Sequence, residues 1–221
     1  PVPERLKLDL RLGAISGKIN DMPVTEQTLA LSADAEADES GELVLRDFSF
    51  AQFIGGEKKS DITAKGNFRP QDNTAALEFA VKPLSAEIIR PAVICFTGVD
   101  PGDAQLFYKG SLRRRRNDTV SAKGDLKLVR KGPITASGKK LEIPEWNFAL
   151  SHDVTGNYRR REATVRAFSF GFLEDEREVI GFRLGGGPLT VKLNAPPLSA
   201  FGGQDPAWAF FIRELNLSVF N

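Results

Sequence analysis

One short pattern constrains this chain more than any other: glycine, then Asn or Ser, then an aromatic residue or Leu, then Arg. It occurs as Gly66-Asn67-Phe68-Arg69, Gly110-Ser111-Leu112-Arg113 and Gly156-Asn157-Tyr158-Arg159, spaced 44 and 46 residues apart. Each copy follows an apolar, strand-like run and, after a polar break, leads into another, at residues 75–79, 120–124 and 163–167. The unit reads as a hairpin written three times. A fainter copy, Gly17-Lys18-Ile19-Asn20, lies 49 residues upstream of the first. Near-constant spacing in this range marks a repeat architecture whose units cannot bury their apolar faces alone.

Residues 5–12 read R-L-K-L-D-L-R-L, with Leu6, Leu8, Leu10 and Leu12 on one face and charges on the other, the signature of a half-buried strand. Leu29 and Leu31 alternate likewise, and residues 34–41 read as an acidic loop. Leu43 and Leu45 share one parity while Phe48 and Phe50 take the other, which predicts a bulge or turn near Asp47. Strands over 60–68 and 74–81 flank the turn cluster Pro70-Gln71-Asp72-Asn73. Residues 83–93 fit a strand or a short helix, either ended by Pro91, and Asp205-Pro206 has the form of a cap for a short helix through Phe211. The fold expected is all-β: an elongated, highly curved, largely antiparallel sheet built from repeated hairpins, with at most one or two short helices. A closed barrel and a sandwich satisfy the same pattern.

With 30 basic and 29 acidic residues among 221, the formal net charge is +1, and no bulk field argues for nucleic acid as a partner. Cys95 is the only cysteine, so neither an internal disulfide nor a multi-cysteine zinc site is available. No run reaches the roughly 18 apolar residues of a membrane helix. The chain begins at Pro1 rather than Met, and the expectation is a single all-β segment, 1–221, excised from a longer parent.

Chemistry-bearing residues are few. His152, the only histidine, sits in Ser151-His152-Asp153, but three neighbours in a strand point to alternating faces and do not form a triad. A polar cluster at a strand end is the expectation. The acidic stretches 34–39 and 174–176 lack calcium-loop spacing and read as solvated turns, and no carboxylate pair is singled out for glycosidase chemistry. Gly185-Gly186-Gly187 reads as a flexible turn. No catalytic residue, metal or cofactor is assigned, and the expected role is non-enzymatic. The arginine runs Arg113, Arg114, Arg115, Arg116 and Arg159, Arg160, Arg161 read in two ways: as groups facing lipid headgroup phosphate, or as charges that keep hairpin tips and edges from aggregating.

Alternating L-x-L-x-L strands, hairpins punctuated by [KT]-G-[NS]-[aromatic or Leu], and the opening Leu6-Lys7-Leu8-Asp9-Leu10 resemble the AsmA-like proteins of diderm bacteria, including the TamB branch, over residues 6–193. The resemblance implies a periplasmic segment of an inner-membrane-anchored parent, with an outer-membrane partner. It further implies a curled sheet whose apolar groove shields acyl chains, for phospholipid transport or outer-membrane assembly. Within such a groove, parity selects as lining Leu8, Leu10, Leu43, Leu45, Phe68 and Leu77. From the rest of the chain it selects Phe79, Leu106, Tyr108, Val165, Leu189, Val191 and Leu193. The alternative is an all-β sandwich serving as an interaction or spacer module of the envelope, without a ligand channel. A carbohydrate-active enzyme, which requires convergent carboxylates in a cleft, ranks last.

Overall fold

The structure, a computed structural model, describes residues 4–19, 22–88, 90–100, 102–131, 134–136, 139–141, 146–174, 177–192 and 207–212. The first five strands are β1 (Glu4–Ile19), β2 (Met22–Ala37), β3 (Leu43–Ile54), β4 (Glu57–Arg69) and β5 (Thr74–Ser85). A 3-10 turn (Ala86–Ile88) and helix α1 (Arg90–Thr97) follow, then β6 (Val99–Asp100), β7 (Asp103–Arg115) and β8 (Thr119–Lys131). The short strands β9 (Ile134–Ala136) and β10 (Lys139–Leu141) precede β11 (Trp146–Asn157), β12 (Glu162–Glu174), β13 (Arg177–Gly185), β14 (Leu189–Lys192) and β15 (Ala207–Ile212).

The long strands form one antiparallel sheet, in the order β1-β2-β3-β4-β5-β7-β8-β11-β12-β13-β15, with β14 also paired to β12. This is the all-β, open-sheet architecture read from the sequence. Strands β6, β9 and β10 form a separate three-stranded sheet. Neighbours in sequence are almost always neighbours in the sheet, because short hairpins offer the least costly connection between antiparallel strands.

The sheet has two different ends. At one, which we call the tip end, lie the turns between β2 and β3, β4 and β5, β7 and β8, and β11 and β12. Turn chemistry explains them. The Asp38 carboxylate accepts hydrogen bonds from Ser40 N (2.9 Å), Ser40 Oγ (2.6 Å) and Glu42 N (2.8 Å). The next three tips each place one residue in the left-handed region: Asn73 (φ 53°), Asp118 (φ 59°) and Arg161 (φ 53°). Asn and Asp tolerate that conformation, whereas Arg does not favour it.

The opposite end is closed. Strand β5 leads through the 3-10 turn, which packs on β7, into α1, which packs against β1 and β2 at the far edge of the sheet. Pro91 does not end this helix but opens it, since the first turn needs no proline N–H. Beyond Thr97 the chain turns out at Gly98 (φ 68°), whose N–H bonds the Ile94 carbonyl at 2.8 Å. Here the sheet carries a buried polar chain. Gln52 Nε2 donates to Gln27 Oε1 (2.5 Å), Ser60 Oγ donates to Gln52 Oε1 (2.8 Å), and Ser85 N donates to Ser60 Oγ (3.1 Å). Gln52 and Ser60 are fully buried, so their mutual pairing is what makes burial tolerable.

Some expectations are corrected. Residues 34–37 belong to β2 rather than to a loop, because Asp34 and Glu36 alternate with Ala33, Ala35 and Ala37 and pair with β3. Ala207–Ile212 is a strand on β13 and not a helix, its backbone bonds supplied by a neighbour invisible in local sequence. The cap Asp205-Pro206 lies outside the described residues. The faint upstream copy at Gly17 is no structural copy: β1 runs from the tip end to the closed end, while β4, β7 and β11 run the other way.

The three clear copies do share strand direction, but their glycines differ. A Cβ on Gly66 would collide with the Ala76 carbonyl oxygen of β5, so glycine there permits a close backbone approach. Gly110 is covered by the Tyr108 ring, whereas a Cβ on Gly156 would meet only ordinary contacts at 3.9 Å and 4.0 Å. Gly66→Ala is therefore expected to cost about 1–3 kcal/mol in urea unfolding, and Gly156→Ala less than about 0.5 kcal/mol. In the same assay Arg161→Asn is expected to gain roughly 0.5–1 kcal/mol by relieving the left-handed backbone.

Candidate functional site

Cross-strand pairing assigns every long strand a face, since directly opposed residues in an antiparallel pair project to the same side. One row crosses the sheet as Ala37, Leu43, Phe68, Ala75, Arg114, Val120, Gly156, Ala163 and Val191. The next, two residues further from the tips, runs Leu6, Ala35, Leu45, Gly66, Leu77, Leu112, Ala122, Val154, Val165 and Leu189. Deeper rows add Leu8, Phe48 and Phe79, then Leu10, Phe50, Tyr108, Leu126, Leu150, Phe170 and Phe182, then Leu106, Leu128, Phe148 and Phe172. Twelve of the thirteen residues chosen by parity thus lie on one face of one sheet; Leu193 lies outside the described residues. The apolar face is continuous from β1 to β13.

Bulges keep it so, one of them at Lys82-Pro83 in β5. Arg46-Asp47 and Arg166-Ala167 are each an extra residue step, after which Phe48 and Phe50, or Phe168 and Phe170, return to the apolar side. The bulge expected near Asp47 is therefore present. Its twin was legible too, in the repeated string R-x-F-S-F at 46–50 and 166–170. They occupy the third strand from each edge of the sheet, and a bulge bends and twists its strand.

The opposite face is charged. Arg5 holds Asp34 through two contacts (2.8 Å and 2.5 Å), Arg46 holds Glu36 (2.5 Å), Lys65 holds Glu78 (3.3 Å), and Ser151 Oγ donates to Asp125 Oδ1 (2.6 Å). The hydrogen bond from Arg5, ahead of the ionic attraction between the pair, keeps the Asp34 carboxyl below its ordinary range. A concavity of about 820 Å³ on this side is lined by both signs, including Lys65, Lys109, Lys123, Glu78 and Asp125.

On the apolar face, a cavity of about 700 Å³ opens at the tip end, lined by Leu6, Leu43, Leu45, Phe68, Leu77 and Leu112 among others. That volume falls in the range of about 300–1,000 Å³ typical of small-molecule sites. The first edge of this face is exposed: Leu6 is 66% exposed, and Leu8, Leu10 and Leu12 are 46–47% exposed.

The arginine runs are not one group. Arg114 lies on the apolar face, in the row of Phe68, whereas its neighbours Arg113 and Arg115 take the opposite parity, paired with Ser121 and Thr119. Arg116 is tied to Asp72 and Arg159 to Asp118, both at the tips. Arg160 bonds through its backbone N–H to Asn157 Oδ1 (3.0 Å), and Arg161 occupies the strained turn position.

His152 is not at a strand end. It sits mid-strand on the apolar face, opposite Gly124 and Phe168, and its Nε2 lies 3.0 Å from the Tyr108 hydroxyl. Ser151 and Asp153 point to the other face, as strand alternation requires. The Tyr108 ring lies over Gly110 and Gly124 and stacks on Phe79 with centroids 4.9 Å apart, so two side-chain-free positions make its bed. Composition revealed the residues, but only the register brings a tyrosine over two glycines from adjacent strands.

Burial raises the Tyr108 phenol above its usual value near 10, and the Asp125 carboxylate adds to the effect. A folded-state value above the unfolded one means stability that is complete below about pH 10 and is lost as pH rises through the folded value. Tyr108→Phe should therefore flatten the fall in melting temperature between about pH 9.5 and 11, relative to the unmodified chain, while leaving the neutral-pH curve shape intact. No protein-family model matches the chain, and neither does any curated protein or solved structure.

Proposed function

We propose that the chain sheathes lipid acyl chains in the apolar groove of its single-layer sheet, as a non-enzymatic segment of an AsmA-like envelope protein. In this reading it works in the periplasm, within an inner-membrane-anchored parent that hands phospholipid onward or supports outer-membrane assembly. The observation that carries the reading is the continuous apolar face of the twelve-stranded sheet, which leaves Leu6, Leu8, Leu10, Leu12, Leu43 and Phe68 exposed.

Physical scale supports it. The apolar rows from Phe68 to the level of Leu106 span eight residue steps, or about 26 Å at about 3.3 Å per residue. One leaflet of bilayer hydrocarbon is about 15 Å thick, so an acyl chain fits along the strands. Each buried methylene contributes about 0.8 kcal/mol, and a chain of a dozen methylenes outweighs the cost of ordering it. Closure of one end by α1 and the buried Gln52–Ser60 chain, with the tip end open, gives such a groove a single mouth.

The expected outcome is that an organic extract of the purified chain contains phospholipid by mass spectrometry, and that the delipidated chain takes up an acyl-labelled lipid. Phe79→Asp, on the groove face, should lower uptake at least ~10-fold, since an ionised carboxylate there is costly beside an acyl chain. Thr63→Asp, on the opposite face of the same hairpin, should leave uptake unchanged. Absence of both co-purified lipid and uptake would favour the alternative, an envelope spacer or interaction module without a ligand channel.

A further inference from the structure

Arg114 is out of place. Register puts it in the apolar row between Ala75 and Val120, and Leu112, two residues along the same strand, lines the cavity at the open mouth. Its Nη2 donates to the Tyr158 hydroxyl at 3.0 Å, and its guanidinium carbon stands 5.5 Å from the centre of the Tyr158 ring. Tyr158 is in turn held by Asp118, which also takes Arg159. The Arg114 Nε is buried with no hydrogen-bond acceptor, and no carboxylate among the described residues forms an ion pair with this side chain. Arg69, Arg116 and Arg159 at the same tips all have such a partner.

The geometry points to Arg114, positioned by Tyr158, as the site that binds the phosphate of a phospholipid headgroup at the groove mouth. A guanidinium carries five donors in a planar fork that matches phosphate oxygens, and Tyr158, whose hydroxyl accepts from Nη2 and whose ring lies beside the guanidinium, holds it in place. An apolar cavity that adjoins the charge selects an amphiphile over a free anion. The inference rests on the groove holding lipid. It adds a direction: the headgroup lies at the hairpin tips, and the acyl chains run toward α1.

The test compares retention by the delipidated 221-residue chain of acyl-labelled phosphatidylglycerol and of diacylglycerol with identical chains. The unmodified chain is expected to prefer phosphatidylglycerol, and Arg114→Gln to reduce that preference about tenfold while diacylglycerol retention persists. Arg114→Lys, which keeps the charge but not the fork, should fall between them. Arg113→Gln, on the other face, should match the unmodified chain. Equal retention of the two lipids by the unmodified chain overturns the inference and leaves the groove reading standing, whatever the variants do. A loss with Arg113→Gln as large as with Arg114→Gln overturns it as well, as an effect of bulk charge. Retention of neither lipid removes both readings together.

Discussion

Everything in this molecule follows from the separation of apolar and charged side chains onto opposite faces of one antiparallel sheet. The strands are held by backbone hydrogen bonds to their neighbours, which need no second layer, but the apolar face does need a cover. Few apolar side chains are buried: Ala51, Ala86 and Leu189 are the ones that fall below one-tenth exposure among the described residues.

The two ends of the sheet differ. At the closed end, a helix packs against the first two strands, and Gln27, Gln52 and Ser60 form a hydrogen-bonded polar chain across the sheet. At the tip end the cavity is walled by Leu and Phe, and the polar groups sit on the rim. The twin bulges, third from each edge, bend the sheet at the same height and hold the phenylalanines of both flanks on the inner side.

Charge has separate tasks on this scaffold. The net value of +1 hides strong local order. Exposed pairs such as Arg46 with Glu36 contribute little to stability, so their value lies in solubility and in resisting edge-to-edge association. The tip arginines divide by parity into ion-paired turn residues, outward-facing residues and the single one turned to the groove. Adjacent letters in the sequence thus carry unrelated roles, because successive side chains of a strand point to opposite faces.

Alternation with period two was enough to establish an all-β chain, the hairpin order, the bulge near Asp47 and the set of residues that share one face, since side-chain direction in a strand is a local property. The same locality explains what stayed hidden. Strand-end sequence alone did not separate a strand at 207–212 from a helix, because the partner that decides it is β13. Residues 34–37 looked like a loop by charge, while alanines at alternate positions already matched the groove face. Which arginine turns inward, which glycine supports a tyrosine and where His152 finds its partner depend on the register between neighbouring strands. Periodicity determined the faces; pairing between distant strands, through backbone hydrogen bonds, decided which side chains meet.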